Sequence, residues 1–523
     1  MKMIQRFGAA LAMLLLVGTS FASAATQDTL AKKQVVAQAK ASKKSANRFS
    51  FKGYVRSYEF TRQNTSRGYS AAGPNQKSFN TGVSLHGDYN AGGGFSIGAT
   101  YFYANPFNGY CSQASNYVSP GAGNLCYVQP GQTGTNADNT LPGFQMSTLY
   151  EAYVKYHSAN FGATLGNQVF NSPFANSSDS RLKPVAFQGG DFTYKLDKNW
   201  NVEAALFTHF EGRAQSAFDN STLLTGYYVD APSLPSESNI YNYNGKYNAL
   251  TNSGFDYAKV GYARKNFSAN GYLYSFNNIA SLAWFDAKYS VPGFLKGYKP
   301  FIAFQAGSEK DTGSALIGKI RATGYGVQAG LSFSKNLDFT VGYNDVPAKA
   351  DTVVLPAGVS CNAAHALVGA GTSAATNVPY LLTGNGYNCV SNGAAGTTTI
   401  YYGGFASPYT DSYATDPFFT TSMTQGMIDR RTYGEGVKFA LTYASTDKRL
   451  HAIVSRALYK DGVVAVGLTP TQETDLDAFY YLSKVGKGAY RGLVVRQRFG
   501  DRTEAFAGIP VFKYERTQIE YDF

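Results

Sequence analysis

Apolar and polar residues alternate along most of the chain, in segments of about ten residues that begin near residue 49. From Tyr325 to Phe333 every second residue is apolar, and glycine, glutamine or serine stands between these positions. From Thr432 to Thr442 valine, phenylalanine and leucine alternate with glycine, lysine and threonine in the same way. Successive side chains of a strand point to opposite faces. The pattern therefore predicts an all-β protein whose strands have one apolar and one polar face.

The segments and their connections predict a transmembrane antiparallel β-barrel of about 18 strands. The strands are predicted to begin near Phe51, Asn80, Phe95, Ser147, Phe161, Asp191, Asn201, Gly254, Phe267, Leu282, Phe301, Tyr325, Leu337, Tyr433, Leu450, Asp475, Tyr490 and Lys513. Short connections lie near Ser158, Asp197, Lys335, Thr446 and Gly486, and the longest one runs from Pro347 to Asp429. Short turns that alternate with long loops are typical of outer-membrane barrels, and an even strand count places both termini on the periplasmic side.

The last segment, Thr517 to Phe523, is amphipathic and ends on an aromatic residue. An unpaired strand edge cannot exist in hydrocarbon, so this segment is predicted to pair with the first strand. A terminal aromatic on such a strand also resembles the signal read by the barrel-assembly machinery. That machinery is therefore a predicted partner, through Phe523.

The N-terminal part of the chain predicts export. Lys2 and Arg6 precede the short apolar run Ala9 to Val17, and Ala22-Ser23-Ala24 has the small-x-small cleavage pattern, so residues 1–24 are predicted to be a signal peptide. An N-terminal membrane anchor is less consistent with the sequence, because a spanning helix needs about 20 apolar residues. Residues 25–48 are predicted to form a basic, disordered periplasmic tail, and residues 49–523 the barrel.

Composition and charge agree with a barrel. The chain has 40 Tyr, 36 Phe and 55 Gly, and aromatic residues concentrate at membrane interfaces. The mean hydropathy of −0.24 does not exclude a barrel, because lipid-facing and lumen-facing residues average out along each strand. The net charge is +12, of which +2 lies in residues 1–24 and +5 in residues 25–48. The +5 that remains gives no reason to expect nucleic acid as a partner.

Neither the cysteines nor the histidines indicate an enzyme or a metal site. The four cysteines form two locally spaced pairs in Gly-rich stretches, and they predict loop disulfides whose connectivity stays open: Cys111, Cys126, Cys361 and Cys389. The five histidines are scattered, none has the spacing of a zinc protease motif, and no GxSxG elbow or Gly-rich phosphate loop sits between a strand and a helix. We predict no cofactor, no metal and no enzymatic activity, although sequence alone leaves a hydrolase with a site at the barrel rim as an alternative.

Four segments resemble the OprD (outer membrane porin D) family of outer-membrane porins. They are GYVRSYEFTRQN at Gly53 to Asn64, SDSRLKPVAFQGG at Ser178 to Gly190, DPFFTTSM at Asp416 to Met423 and RGLVVRQRF at Arg491 to Phe499. The resemblance implies an 18-stranded channel with a narrow, selective pore and an inward-folded third loop. It also implies a ladder of basic residues that guides the carboxylate of a small acid or amino acid. In the third loop, Asp179, Ser180 and Arg181 are expected to line the pore, and Pro184 and Phe187 to hold the loop against the wall.

Strand periodicity also selects residues for the lumen. Arg496 and Arg498 share a face opposite Phe499, and lipid exposure at mid-depth would cost about 2 to 4 kcal/mol for each guanidinium. The same argument yields further lumen candidates on the first, last and neighbouring strands: Arg56, Arg62, Lys438, Arg456 and Arg516. A second inward segment is expected between Tyr409 and Arg431, where carboxylates and guanidiniums could face Asp179: Asp411, Asp416, Arg430 and Arg431. The alternatives are ion pairs that only stiffen the wall, and loops that only cap the barrel.

The predicted function is passive, selective diffusion of small carboxylates or amino acids across the outer membrane of a Gram-negative bacterium. The predicted partners are outer-membrane lipid and small polar or anionic solutes. A weakly selective general porin is the main alternative, and a surface adhesin or structural barrel is a further one.

Overall fold

The structure is a computed structural model that describes most of the barrel and parts of its loops. The described residues are 48–64, 76–106, 145–177, 181–213, 215–220, 222, 253–292, 298–315, 319–354, 359–361, 367–369, 388–391, 397–410, 416–424, 433–461, 470–482, 492–505 and 510–523. The predicted signal peptide and all of the predicted tail except Arg48 lie outside these ranges, so both stay predictions. Within these ranges, no helix is long and apolar enough to cross a bilayer.

The described strands are numbered in chain order. The first thirteen are β1 (Phe49–Asn64), β2 (Gln76–Gly92), β3 (Phe95–Pro106), β4 (Met146–His157), β5 (Phe161–Gln168), β6 (Ala186–Lys195), β7 (Trp200–Glu211), β8 (Phe255–Arg264), β9 (Phe267–Phe276), β10 (Ala280–Ser290), β11 (Phe301–Asp311), β12 (Arg321–Ser332) and β13 (Leu337–Val346). The others are β14 (Lys349–Val354), β15 (Val359–Cys361), β16 (Leu367–Gly369), β17 (Asn388–Ser391), β18 (Thr397–Tyr402), β19 (Gly434–Ala444), β20 (Leu450–Asp461), β21 (Thr471–Tyr481), β22 (Leu493–Glu504) and β23 (Pro510–Asp522).

Eighteen of these described strands form one closed antiparallel barrel, which confirms the predicted fold. Strands β1 to β13 and β19 to β23 pair each with the next, β13 pairs with β19, and β23 pairs with β1. The predicted strand starts differ from the observed ones by at most five residues, as at Asp191, where β6 begins at Ala186. The prediction of one long loop from Pro347 to Asp429 was incomplete. That connection contains β14 to β18, which form two small sheets of three and two strands.

The outer face of the barrel is apolar where strand periodicity predicts it. On β12, Tyr325 and Val327 are exposed, whereas Gly326 and Gln328 are buried. Aromatic residues gather outside the rim that carries the short turns, with Trp200 and Tyr262 packed at 4.8 Å between ring centroids. Such a belt marks a membrane interface. The short turns identify this rim as the periplasmic one.

The barrel closes at the seam between β1 and β23. The backbone amides of Gly53 and Phe523 each donate to the other residue's carbonyl oxygen at 3.0 Å. A Cβ atom on Gly53 would lie 2.4 Å from the Ser84 carbonyl oxygen and 2.7 Å from the Phe523 ring, so only glycine fits here. The sequence prediction that the last strand pairs with the first is confirmed.

Two segments fold into the barrel and meet inside it. The third-loop segment lies between β5 and β6, and its described residues are 169–177 and 181–185. The second inward segment precedes β19, and its described residues are 403–410 and 416–424. They touch where the Asn176 amide donates to the Tyr409 carbonyl oxygen at 3.0 Å. Phe174 of the first segment packs on Trp284 of the wall and on Phe405 of the second, within a large buried aromatic cluster. The lumen is thus narrowed by packed loop residues.

Candidate pore constriction

The third-loop segment is tied to the barrel wall on two sides. On the β1 side, Arg56 donates to the Arg181 carbonyl oxygen at 2.6 Å, and Tyr54 donates to that of Leu182 at 2.8 Å. On the other side, Phe187 is fully buried in the aromatic cluster, 5.3 Å from the Phe207 ring between centroids. Pro184 is buried as well. Both residues thus pack in the positions that the resemblance implies, at the base of the loop.

A buried ion pair adds to this attachment. The Lys183 ammonium donates to a Glu211 carboxylate oxygen at 2.7 Å and to the Gly212 carbonyl oxygen at 2.8 Å. Both charged side chains are fully buried, and Thr148 donates a further hydrogen bond to Glu211 at 3.1 Å. A buried charge pair needs close hydrogen-bond partners in place of water, and this pair has them. It fixes the third-loop segment to the extracellular end of β7.

Five arginines gather on the lumen side of the seam, and we call them the arginine cluster: Arg56, Arg181, Arg496, Arg498 and Arg516. Arg498 pairs directly with Arg516 across β22 and β23, and Arg181 is near enough to Arg516 to repel it. Aromatic faces support the guanidiniums, with Arg496 4.0 Å above the Phe479 ring. The structure thus brings together five predicted positions: four on strands, and Arg181 in the third loop.

Two carboxylates of neighbouring strands bond to the arginine cluster. Asp477 on β21 accepts two hydrogen bonds from Arg496, at 2.8 and 2.7 Å, and one from Arg498 at 2.9 Å. Glu520 pairs with Arg56. Among the described residues, the carboxylates of Asp477 and Glu520 therefore bond directly to three guanidiniums of the cluster. The ion pairing considered from the sequence is thus present at the seam.

The other carboxylates of β21 hold the second inward segment. Glu473 accepts hydrogen bonds from the Thr424 amide at 2.7 Å and from its hydroxyl at 2.6 Å, and Asp475 accepts one from the Met423 amide at 3.2 Å. Lys438 donates to the Thr421 carbonyl oxygen. The predicted lumen residue Lys438 therefore faces inward, where it anchors a loop.

Asp416 is also buried inside the barrel, where it accepts a hydrogen bond from the Phe418 amide at 2.9 Å. This contact caps the local turn of the second inward segment. Several other sequence-predicted positions lie outside the described residues: Asp179, Ser180, Asp411, Arg430, Arg431, Cys111 and Cys126. The side chains of Arg62, Cys361 and Cys389 are likewise not described, so their roles and the disulfide pairing stay predictions.

The prediction of a lumen position for Arg456 was wrong. Its neighbours on β20 show the alternation, because Ser455 is buried and Val454 and Leu458 are exposed. Arg456 shares the face of Val454 and Leu458, on the outside of the barrel, where it donates to Gln472 at 2.7 Å. The alternation along β20 already places Arg456 on the apolar face, so the sequence contained the information that this residue points outward.

Sequence reasoning also missed the carboxylates that organise the site. Glu473, Asp475 and Asp477 alternate on β21 and so share one face, which is the same rule that selected Arg496 and Arg498. Their partners could not be read from the sequence, because they depend on the register between β21 and β22. The pair formed by Lys183 and Glu211 has no comparable local signal.

The comparisons with known proteins agree with this geometry. A model of the outer membrane porin, OprD family, matches residues 147–357. No curated protein matches the sequence. Among solved structures, OpdK from Pseudomonas aeruginosa has a TM-score of 0.57 and 12% identity, the BenF-like porin from Pseudomonas fluorescens Pf-5 has 0.60 and 14%, and OccAB4 from Acinetobacter baumannii has 0.61 and 14%. Each comparison covers 91% of this chain and 98% of the other.

The structural neighbours show the fold, and the family match relates residues 147–357 to the OprD family. Porins of this family are channels without enzymatic activity, they lie in the outer membrane of Gram-negative bacteria, and they take up small solutes. The resemblance noted in the sequence is therefore confirmed: residues 147–357 match the OprD family of outer membrane porins, and the chain shares the fold of solved outer-membrane porins.

Proposed function

We propose that this porin favours small carboxylates or amino acids, which the arginine cluster draws along one wall of the lumen. The observation that carries the proposal is the gathering of five guanidiniums on the lumen side of the seam. A selective channel replaces the hydration of a solute by placed charges and hydrogen bonds. Guanidinium groups match a carboxylate with two parallel donors, which makes arginine well suited to this role.

The arginines divide into those that can touch a solute and those that act through their charge. The Arg496 side chain is 13% exposed, and that of Arg498 is 4% exposed. Arg516 is fully buried. We infer that Arg496 makes direct contacts, and that Arg498 and Arg516 raise the positive potential behind it. Charges in a narrow, low-dielectric passage concentrate the opposite ion.

A weakly selective general porin is the second candidate. Asp477 accepts hydrogen bonds from both Arg496 and Arg498, so these three residues also form a rigid unit of the wall. If stiffening is their whole role, a solute would sense little net charge there. The two candidates make different predictions about ion preference.

Reversal potentials in a planar bilayer under a salt gradient separate them. Replacing Arg496 and Arg498 together by Gln should shift the preference toward cations, because two positive charges leave the lumen. Asp477→Asn should shift it toward anions, because one negative charge is removed. The matched control is Arg456→Gln, which removes an arginine from the outer face. If neither lumen variant changes the reversal potential, the arginine cluster has no part in selectivity.

Block of the channel by a solute provides a second criterion. OpdK of Pseudomonas aeruginosa has been solved with vanillate, an aromatic carboxylate, and this makes vanillate a reasonable first probe. A selective channel should show a small conductance that a carboxylate blocks. A general porin should conduct a largely unblocked current, with amino acids and sugars having equally little effect.

Assembly is proposed to use the two ends of the chain. Cleavage after Ala24 would release residues 1–24 as a signal peptide, which N-terminal sequencing of the membrane-inserted protein tests. The barrel-assembly machinery is proposed to bind the C-terminal strand through Phe523. Deletion of Phe523 should lower the yield of folded barrel in cells. It should do so more than it lowers folding of the purified chain in detergent.

A further inference from the structure

The outer wall of the barrel carries a polar patch where an apolar surface is expected. It spans the five neighbouring strands β20, β21, β22, β23 and β1. We call it the outer polar patch, and the residues that define it are Glu59, Arg456, Gln472, Gln497, Glu515 and Thr517. The patch is separate from the arginine cluster, which lies on the opposite face of the same strands.

The outward direction of these side chains follows from their neighbours. On β23, Ile519 and Tyr521 are exposed and continue the face of Thr517 and Glu515, whereas Arg516 is buried between them. On β22, the exposed Phe499 continues the face of Gln497. Period two therefore places the polar side chains toward the membrane.

The depth of the patch can be measured from the aromatic belt. Two residues along a strand tilted by about 40° rise about 5 Å along the membrane normal. Counted from Tyr521, Thr517 and Glu515 lie about 10 and about 15 Å into an apolar band about 25 Å tall. On β19, the same count from Tyr443 reaches Phe439 and Val437. The patch thus occupies the level at which another part of the wall is apolar.

Hydrogen bonds join the patch into two networks on the outer surface. Thr517 donates to Gln497 at 2.7 Å, and Gln497 donates to Glu515 at 3.4 Å. Arg456 donates to Gln472 at 2.7 Å, and Gln472 donates to Thr503 at 3.2 Å. Polar and charged side chains are costly in hydrocarbon and mark surfaces that face protein or water. The networks reduce this cost, but they leave both carboxylate and guanidinium in the membrane layer.

We propose that the outer polar patch is the contact surface for a second copy of this chain. The charges at its two ends have opposite signs, because Glu59 and Glu515 lie on β1 and β23 and Arg456 lies on β20. Two copies related by a two-fold axis along the membrane normal meet face to face, and each end of the patch then lies against the opposite end of the partner. The acidic end of one copy therefore meets the basic end of the other, twice.

Charge reversal with rescue tests the proposal. The variants are Glu515→Lys, Arg456→Glu and the double variant, each inserted as full barrels into phospholipid vesicles free of lipopolysaccharide. Subunits are counted by single-molecule photobleaching at several protein-to-lipid ratios. The wild type should associate, each single variant should weaken association at least about tenfold, and the double variant should restore it, since both ends are exchanged. A tenfold loss corresponds to about 1.4 kcal/mol.

Two controls separate association from folding. Glu435→Lys reverses a charge on the outer face of β19, outside the patch, and should leave association unchanged. Gln497→Leu makes the patch more apolar, so it should weaken association without unfolding the barrel. Heat-dependent migration in gel electrophoresis reports that each variant is folded.

Three results would overturn the proposal. The first is a wild-type barrel that stays monomeric at every protein density. The second is a wild type that associates while both single variants associate equally well, or a double variant in which association is not restored. The third is a wild type in which the patch variants have an effect only after lipopolysaccharide and Ca²⁺ are added. The patch would then be a lipid-binding surface instead.

Discussion

The ion pair between Lys183 and Glu211 allows a direct test of how the third-loop segment is held in the lumen. The substitution Lys183→Met keeps most of the side-chain volume and removes the ammonium group. Glu211 then keeps its hydrogen bond from Thr148 and loses its closest cation, although it stays fully buried. Glu211 can then lose its charge by taking up a proton, which an alkaline recording buffer opposes, or the loop can leave the wall so that water reaches the carboxylate.

The size of the effect follows from the burial of the pair. Removal of one partner of a buried ion pair costs about 3 to 5 kcal/mol, because the remaining charge is left uncompensated. Arg213 is a further cation close enough to interact with this pair and can take over part of the role, so the lower end of this range applies. A change of about 3 kcal/mol shifts the ratio of displaced to docked loop by about two orders of magnitude.

Single-channel recording measures this ratio. Lys183→Met should show frequent transitions to a state of larger conductance, because the displaced segment no longer narrows the lumen. The double variant Lys183→Met/Glu211→Gln carries no buried charge at this position, and it should return toward wild-type behaviour. Heat-modifiable migration of all variants should be unchanged, since the barrel strands are not affected.

The reasoning would be refuted by a Lys183→Met channel with the conductance and noise of the wild type. It would also be refuted if the double variant were as unstable as the single one. In that case the loop would be held by its aromatic contacts and by Arg56 and Tyr54, and the ion pair would add nothing.

Two further predictions concern the second inward segment and a periplasmic turn. A Cβ atom at Gly342 would lie 2.9 Å from the Cβ of Phe419, so Gly342→Ala should displace this segment and raise the single-channel conductance, whereas Gly271→Ala, with nothing within 4 Å, should not. Hydrogen bonds from the Ser445 hydroxyl and the Arg449 amide lower the pKa of Asp447 below its usual 3.8. Because the pKa of Asp447 is depressed in the folded protein, the stability that its hydrogen bonds contribute is fully present above pH 3.8. This stability is lost only as the pH falls through the lower, folded-state pKa. Protection of the Arg449 amide from hydrogen exchange should therefore be constant from about pH 5 to about pH 8, and a loss within this range would contradict the assignment.

The fold could be predicted from the sequence because the barrel obeys a local rule. Period-two alternation marks each strand and its lipid face independently of the partner strand, as on β12. The closure between β1 and β23 followed from the requirement that no strand edge stays unpaired in hydrocarbon. The strands β14 to β18 lie in a connection without this constraint, and their pattern was not recognised.

The site was predictable only in part, because its contacts are non-local. Arg496 and Arg498 were correctly assigned to one face, but their shared partner Asp477 lies on the preceding strand at a position that the register decides. The error at Arg456 shows the limit of assigning every arginine to the lumen. The apolar neighbours Val454 and Leu458 indicated the outer face, and the hydrogen bond to Gln472 stabilises the side chain there.

Uptake of a small carboxylate compared with its neutral amide tests the central claim most directly. The two probes have nearly the same size, so a difference in their rates of entry into liposomes that contain the purified porin reports charge recognition in the lumen. The account predicts faster entry of the carboxylate, and an advantage that shrinks when Arg496 and Arg498 are both replaced by Gln. Equal rates for both probes in the wild-type channel would contradict it.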